Sequence, residues 1–272
     1  MLKAKALCAV QENAIPEQKP LVPMGLEQNR INRLIGKKQN IVIDSFGDEN
    51  AVKEWITSLA VELVKNDELM KEFILKLRQQ YTNKMKEFSF SLAAFDSESR
   101  KTIRHLFRDE MCGIVDSVEA PEDSDRICGN LVFSAEAQNF LAGQYMEIGV
   151  YELIREALEE LAVQHKATYK LYRNVKVSTK EGVIKNEFDI VIEWNGIAYV
   201  VEVKSGKQFN AWGSLLEIGK EYGIIPDRLL LVDSYLPNER ANRIESFCRY
   251  YVCNLKNGSL KQKVIQMIRN DL

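Results

Sequence analysis

Asn195-Gly196 constrains this chain more than any other pair of residues, because Asn-Gly between apolar runs sets a two-residue turn and with it the register of two strands. A type I′ turn needs positive φ at both central positions, which Asn and Gly tolerate. Counting outward along NEFDIVIEWNGIAYVVEVKS, residues 186–205, pairs Trp194 with Ile197, Ile192 with Tyr199, Val191 with Val200, Ile190 with Val201 and Asp189 with Glu202. Strand side chains alternate, so Asp189, Val191 and Glu193 share a side with Ala198, Val200, Glu202 and Lys204. Phe188, Ile190, Ile192, Trp194, Ile197, Tyr199, Val201 and Val203 form an apolar opposite side. Directly opposed residues have Cβ atoms about 4.5 to 5.5 Å apart, so the two carboxylates repel unless a cation lies between them or one is protonated. Two strand-borne oxygen ligands, completed by water and substrate phosphate, are a common way to hold Mg²⁺, and Lys204 adds a cation on the same face. Solvated charges on an outer face are the plainer reading of a lone strand acid. Here Val191, Ala198 and Val200 make the charged face apolar too, so the acids are expected to be half-buried, where unpaired charge is costly.

Asp189, with Glu202-Val203-Lys204 on the neighbouring strand, resembles the PD-(D/E)XK nuclease superfamily, Asn186-Glu187-Phe188 standing before the acid in place of the usual proline. The N-E-x-D strand, the E-x-K strand and an upstream glycine-led helix are most similar to the C-terminal nuclease domain of CRISPR-associated effector nucleases activated by cyclic oligonucleotides. The resemblance covers the last half of the chain. It implies an α/β fold of α-β-β-β-α-β order, a restriction-endonuclease-like mixed sheet flanked by helices, and a Mg²⁺- or Mn²⁺-dependent endonuclease acting on DNA or RNA. Asp189 and Glu202 would then hold the metal, the Val203 carbonyl would complete its shell, and Lys204 would act on the attacking water or the transition state. The superfamily's first helix often adds a carboxylate; Glu147 matches that position and Glu152 is second. An acid favoured at a helix N-terminus by the macrodipole is the other reading of Glu147. Antiviral defence or nucleic-acid processing, and a homodimer, complete what the resemblance implies.

A chain of 272 residues with 46% hydrophobic composition suits one large core or two ordinary ones. Its net charge of −2 supplies no global positive field, so any contact with nucleic acid has to be local. Lys170, Arg173 and Lys176 in the strand before the hairpin, with Lys207 and Gln208 just after it, are the expected phosphate contacts. No run of about 18 apolar residues occurs, so no membrane association is expected and a cytoplasmic location is. Five cysteines, an odd number without C-x-x-C spacing, read as reduced thiols, and His105 and His165 have no partner at zinc-ligand spacing.

Along the chain, residues 26–38 read as a short basic helix and residues 41–43 as a brief strand. Helices follow from residue 48 (Val52, Trp55, Ile56, Leu59 and Leu63 on one face), over 67–86, and from the capping pair Asp96-Ser97 through Val115. Residues 1–128 therefore read as a mainly α-helical domain of unassigned role, with an acidic loop at 119–125, and residues 129–272 as the nuclease-like domain. The first half lacks βα alternation, so a cyclic-nucleotide trigger is not carried over. The second half reads as a helix over 144–164, an edge strand over 169–178 and the hairpin. Helices over 208–222, 237–247 and 260–268 then alternate with strands at 228–232 and 250–253, which right-handed crossovers would make parallel. A rival from another class keeps the nuclease-like half as a catalytically inactive nucleic-acid or partner-binding module.

Overall fold

The computed structural model describes residues 31, 33–35, 41–45, 52–179, 184–206, 212–256 and 260–272. Most of the expected basic helix at 26–38, together with Lys207 and Gln208, lies outside them. In chain order the first half contains β1 (Ile41–Ser45), α1 (Glu54–Lys65), α2 (Asp67–Thr82), β2 (Glu87–Ser91), α3 (Ser97–His105), β3 (Val115–Glu119) and β4 (Arg126–Leu131). The second half contains α4 (Ala135–Asn139), α5 (Tyr145–His165), β5 (Tyr169–Thr179), β6 (Ile184–Trp194), β7 (Ile197–Lys204), α6 (Trp212–Tyr222), β8 (Leu229–Asp233), α7 (Asn238–Cys248), β9 (Tyr251–Cys253) and α8 (Leu260–Arg269). None of the described helices is long and apolar enough to cross a membrane. Cys112, Cys128, Cys248 and Cys253 form no disulfide with one another.

The turn behaves as its residues require: Asn195 has φ 48° and Gly196 φ 81°, and the ladder runs from Trp194↔Ile197 to Ile190↔Val201. Six strands form the main sheet in the order β1-β5-β6-β7-β8-β9. The first three pairings are antiparallel, whereas β7–β8 and β8–β9 are parallel, as expected for the two apolar runs after the hairpin. The run α5-β5-β6-β7-α6-β8 is the α-β-β-β-α-β order, extended by α7 and β9. Strand β5 is not an edge, because β1 bonds to it through Ile41↔Thr179, Val42↔Ser178 and Ile43↔Val177. A short apolar strand from the start of the chain thus covers the row of backbone donors that β5 would otherwise expose.

Helices cover both faces of this sheet. On one, Ile190, Ile192, Trp194, Tyr199, Val201 and Val203 join Ile154 and Leu158 of α5 and Val264 and Met267 of α8. On the other, Val191, Ala198, Val200 and Leu231 pack with Leu215 and Tyr222 of α6 and Ala241 and Ile244 of α7. One residue departs from the alternation: Phe188 packs with Val175 and Val191, not with Ile190. Between them, Asn174 takes φ 52° opposite Asp189, and this pair is unbridged although Arg173↔Ile190 and Val175↔Phe188 flank it. A left-handed residue in a strand breaks the pleat as a bulge does, sending the residues beyond it to the other face.

The first half is helical with one addition, a three-stranded antiparallel sheet in the order β2-β4-β3. Its strands are short and carry Ser, Asp, Gly and Asn, so their sequence signal is weak; β2 alternates cleanly, turning Phe88 and Phe90 inward. Those rings meet Phe73 of α2 and Phe107, with centroids 5.1 to 6.0 Å apart. Residue 128 stands inside β4. The apolar cluster around α1 and α2 continues through α5 into β8 and α8, so independent folding of residues 129–272 is a proposal and not a description of this packing.

Two contacts tie the first half to the second. At Gly149 of α5 an added Cβ would fall 2.5 Å from the Ala60 carbonyl oxygen of α1, so these helices touch backbone to backbone. At the start of α2, Asp67 is 3% exposed and neighbours the buried Ser234 hydroxyl after β8, yet neither side chain has a well-directed hydrogen bond. Lys71 lies 3.9 Å from the Asp67 carboxylate, donates to the Ser234 carbonyl (3.2 Å), and its own carbonyl accepts from the Tyr235 hydroxyl (3.0 Å).

Gly149→Ala is expected to destabilise the protein by about 1 to 3 kcal/mol, the usual cost of overpacking, measured by thermal or urea denaturation. Burial pushes the Asp67 carboxyl up to about 7, with Lys71 opposing. The folded state then holds a proton that the unfolded chain has lost, so Asp67 diminishes stability as pH rises from about 4 through 7. Asp67→Asn should raise the melting temperature at pH 8 and flatten its dependence on pH between 5 and 8.

Candidate functional site

The charged end of the hairpin begins where its ladder stops. Asp189 stands one residue beyond the bridged pair Ile190↔Val201, and its Oδ2 accepts the Val203 N–H at 2.7 Å. A side-chain oxygen thus takes the place of a backbone acceptor and fixes the carboxylate beside β7. Lys204 Nζ makes a close ion pair with Glu202 and lies 3.8 Å from Asp189 Oδ2. The expected register is present from Trp194↔Ile197 to Ile190↔Val201; the next pair, Asp189 and Glu202, is not bridged, and the two acids meet at Lys204 instead.

Electrostatics sharpen the arrangement. Burial, and then the charge of Glu202, push the Asp189 carboxyl up to about 7, against the opposing pull of Lys204 and the Val203 N–H. Burial by itself would lower the Lys204 ammonium, but the charges of Glu202, Asp189 and Glu147 outweigh it and raise the group above its ordinary value. Glu147 comes from the first turn of α5. Gly143, just before that helix, has φ 140°, and a Cβ there would lie 2.7 Å from Ser205 Oγ at the end of β7. That close approach sets the start of α5 against the charged end of the hairpin. Burial raises the Glu147 carboxyl, while Lys204 and Arg173 oppose the rise and Glu187 and Glu202 add to it.

The other expected residues are sorted by packing. Arg173 is only 8% exposed, its guanidinium 5.8 Å over the Tyr151 ring, so it faces α5 and Glu147 and not open solvent. Lys170 stands opposite Glu193 and Lys176 opposite Glu187 in the β5–β6 register, both partly buried. Val203 engages Asp189 through its N–H. Glu152 is paired with Arg155 at 2.6 Å along the helix surface and is not drawn toward the hairpin. Sequence reading missed Asp233, which is adjacent to Lys204 in the parallel β7–β8 register, is buried, and accepts the Tyr235 N–H at 3.0 Å. Burial raises its carboxyl, with Arg240 and Lys204 among the opposing charges. The available signal was an acid closing the apolar run Leu229–Val232.

Among the described residues, no group of three His, Cys, Asp or Glu side chains is arranged to hold a metal as it stands. The donor chemistry nonetheless suits a hard cation: Asp189 and Glu202 offer carboxylate oxygens in a desolvated setting, the Asp189 carboxyl being pushed up by burial and then by the charge of Glu202. Lys204 is the cation that meets both acids.

Asp189→Asn separates these effects, since the amide oxygen can still accept the Val203 N–H while Glu202 keeps its ion pair. The substitution should raise the melting temperature at pH 8 without divalent metal. A Mg²⁺-dependent rise in the wild type, about 2.7 kcal/mol at a hundredfold excess over the dissociation constant, should be lost in the variant. Undiminished Mg²⁺ stabilisation would place the cation elsewhere.

No family model matches the chain, and a search of curated proteins finds no match. Solved structures do resemble it. Can2 from Sulfobacillus thermosulfidooxidans, determined in complex with cyclic tetra-adenylate, superposes with a TM-score of 0.52 at 15% identity, over 85% of this chain and 55% of that one. Protein VC1899 from Vibrio cholerae superposes with a TM-score of 0.54 at 14% identity, over 85% of this chain and 58% of that one. The chain thus spans little more than half the length of either protein, and at these identities the likeness establishes a shared fold.

Proposed function

We propose that this chain is a metal-dependent nuclease that hydrolyses phosphodiester bonds of DNA or RNA. The observation that carries the reading is the meeting of Asp189, Glu202 and Lys204 at the end of the central hairpin, with Glu147 in the same field. Solvated surface charges would not be desolvated together in this way, and a pure phosphate binder gains nothing from carboxylates facing its anionic ligand.

Asp189 and Glu202 are the residues that would hold Mg²⁺ or Mn²⁺, with the Val203 carbonyl as a further donor. Such an ion supplies a water of lowered pKa and a polarised phosphate oxygen. The Val203 N–H keeps Asp189 aimed, so its free oxygen is presented from a fixed position. Lys204 stays charged because of the acids around it, and on release from Glu202 its ammonium can orient the attacking water or offset negative charge building on the phosphate. Glu147 would orient the ligand set from outside, with Lys204 and Arg173 offsetting its charge.

One observation favours the second reading, a catalytically inactive nucleic-acid or partner-binding protein: Lys204 already satisfies both acids, as a purely structural ion cluster would. A role in antiviral defence, and any response to cyclic tetra-adenylate, are proposals resting on the fold shared with Can2.

The deciding experiment incubates purified protein with supercoiled plasmid, linear DNA and single-stranded RNA in Mg²⁺, Mn²⁺ or EDTA, with cyclic tetra-adenylate as an added arm. Cleavage is expected with metal and not with EDTA. Asp189→Ala, Glu202→Ala and Lys204→Ala should each lose about two orders of magnitude or more in rate, the scale of removing one electrostatic stabiliser. Near-wild-type cleavage by Glu202→Ala would sink the mechanism, and no cleavage under any condition would favour the binding protein.

A further inference from the structure

Beside the junction of the two halves lies a surface cavity of about 670 Å³, between the C-terminal end of α2 and the segment from Phe133 to Ala142. Arg78, Tyr81, Lys84, Phe133 and Gln138 line it, and among the described residues no acid does. Phe133 is 45% exposed. It is not loose: its ring lies on Tyr81 with centroids 4.7 Å apart at 34°, and the Tyr81 hydroxyl is anchored on the Ser134 carbonyl at 2.7 Å. The backbone of Lys84 is set by a closed turn at the end of α2, which presents its exposed side chain beside the rings. Lys84 takes φ 55°, its N–H bonds to the Tyr81 carbonyl (3.1 Å) and the Met85 N–H to the Gln80 carbonyl (2.9 Å). Glycine usually occupies that left-handed place, and here the chain keeps a lysine.

A fixed, half-exposed aromatic pair flanked by two cations, with a side-chain amide nearby, matches one ligand chemistry: a nucleobase stacked on the ring and its phosphate drawn to the cations. The volume falls in the range of small-ligand sites. In a duplex the bases are stacked on one another and offer no free face, so the fitting partner is a single strand. The far wall, Leu141 and Ala142, leads through Gly143, pressed on Ser205, into the helix start that carries Glu147. We infer that the Phe133–Tyr81 cavity binds an unstacked nucleotide of a single-stranded DNA or RNA and leads that strand toward the hairpin acids. The second clause rests on the proposed nuclease function, whereas binding itself does not.

The test is fluorescence anisotropy in EDTA, where no metal-dependent cleavage occurs, with labelled single-stranded DNA and RNA 12-mers and a duplex of the same sequence. The wild type should prefer the single strands. Phe133→Ala should weaken them roughly tenfold, within the range of losing one stacked base, and Phe133→Trp should restore binding. Arg78→Glu with Lys84→Glu should weaken binding and reduce its salt dependence. Melting curves by circular dichroism check that each variant is folded. Preference for the duplex, no single-strand binding by the wild type, or unchanged binding by folded Phe133→Ala would overturn the cavity. The plasmid and RNA cleavage assay reports separately on the nuclease reading: active enzyme with unaffected Phe133→Ala binding fails the cavity alone. Ring-dependent binding without cleavage in any metal fails the nuclease alone.

Discussion

Burial of both faces of the β6–β7 hairpin governs the rest of this molecule. Val191, Val200 and Leu231 are as fully enclosed on one side as Ile190, Val201 and Val232 are on the other. With no solvated face available, a charged side chain on these strands is costly unless it is partnered: Glu193 is buried opposite Lys170 of β5, and Asp189, Glu202 and Lys204 gather where the ladder between β6 and β7 stops. A carboxylate at such an end can bond to a backbone N–H and share a lysine, and Asp189 does both. The arrangement still leaves two acids close together in a desolvated place, which is why burial and like charge hold one of them near neutrality.

Helix α5 connects that site to everything before it. Its far face receives α1 at backbone contact through Gly149, and its near face supplies Tyr151, Ile154 and Leu158 to the sheet. The helix is therefore clamped along its length, and its first turn, set by the approach of Gly143 to Ser205, places Glu147 within the field of the hairpin acids. A single strand seated on Phe133 would reach the same helix start from the outside. The first half of the chain thus positions the site's helix in addition to packing beside it.

A second connection runs through α2. Lys71 donates to the Ser234 carbonyl and its own carbonyl accepts from the Tyr235 hydroxyl across the junction, beside the buried Asp67 and directly after the Asp233 that borders Lys204 in the sheet. Asp67 is an expensive residue there, since both its oxygens lack directed partners and Lys71, with a smaller contribution from Lys256, only partly offsets the burial. The ends of β7 and β8 are therefore bordered by charges from four elements, β6, β7, β8 and α2, on top of those that α5 brings.

Local chemistry was sufficient for the hairpin, because Asn195-Gly196 dictates a turn whose register follows by counting, and for the helices whose apolar stripes repeat at 3.6 residues. The parallel pairing of the two late apolar runs was legible for the same kind of reason, the handedness of crossovers. What counting could not supply is wherever distant segments meet. Strand β1 pairs with β5 across more than a hundred residues, so β5 lost its edge. The left-handed Asn174 redirected Phe188, a backbone event invisible in a pattern of apolar letters. Arg173 and Glu152 both looked available for a site, yet Tyr151 drew the first inward and Arg155 held the second on the helix surface. Asp233 entered the site only through the register of β7 with β8. The sequence by itself determined which residues could bear charge at the hairpin's end, since alternation and turn geometry act over neighbours. Tertiary structure decided how buried those charges are and which partners they find, because desolvation and ion pairing depend on elements brought together from across the chain.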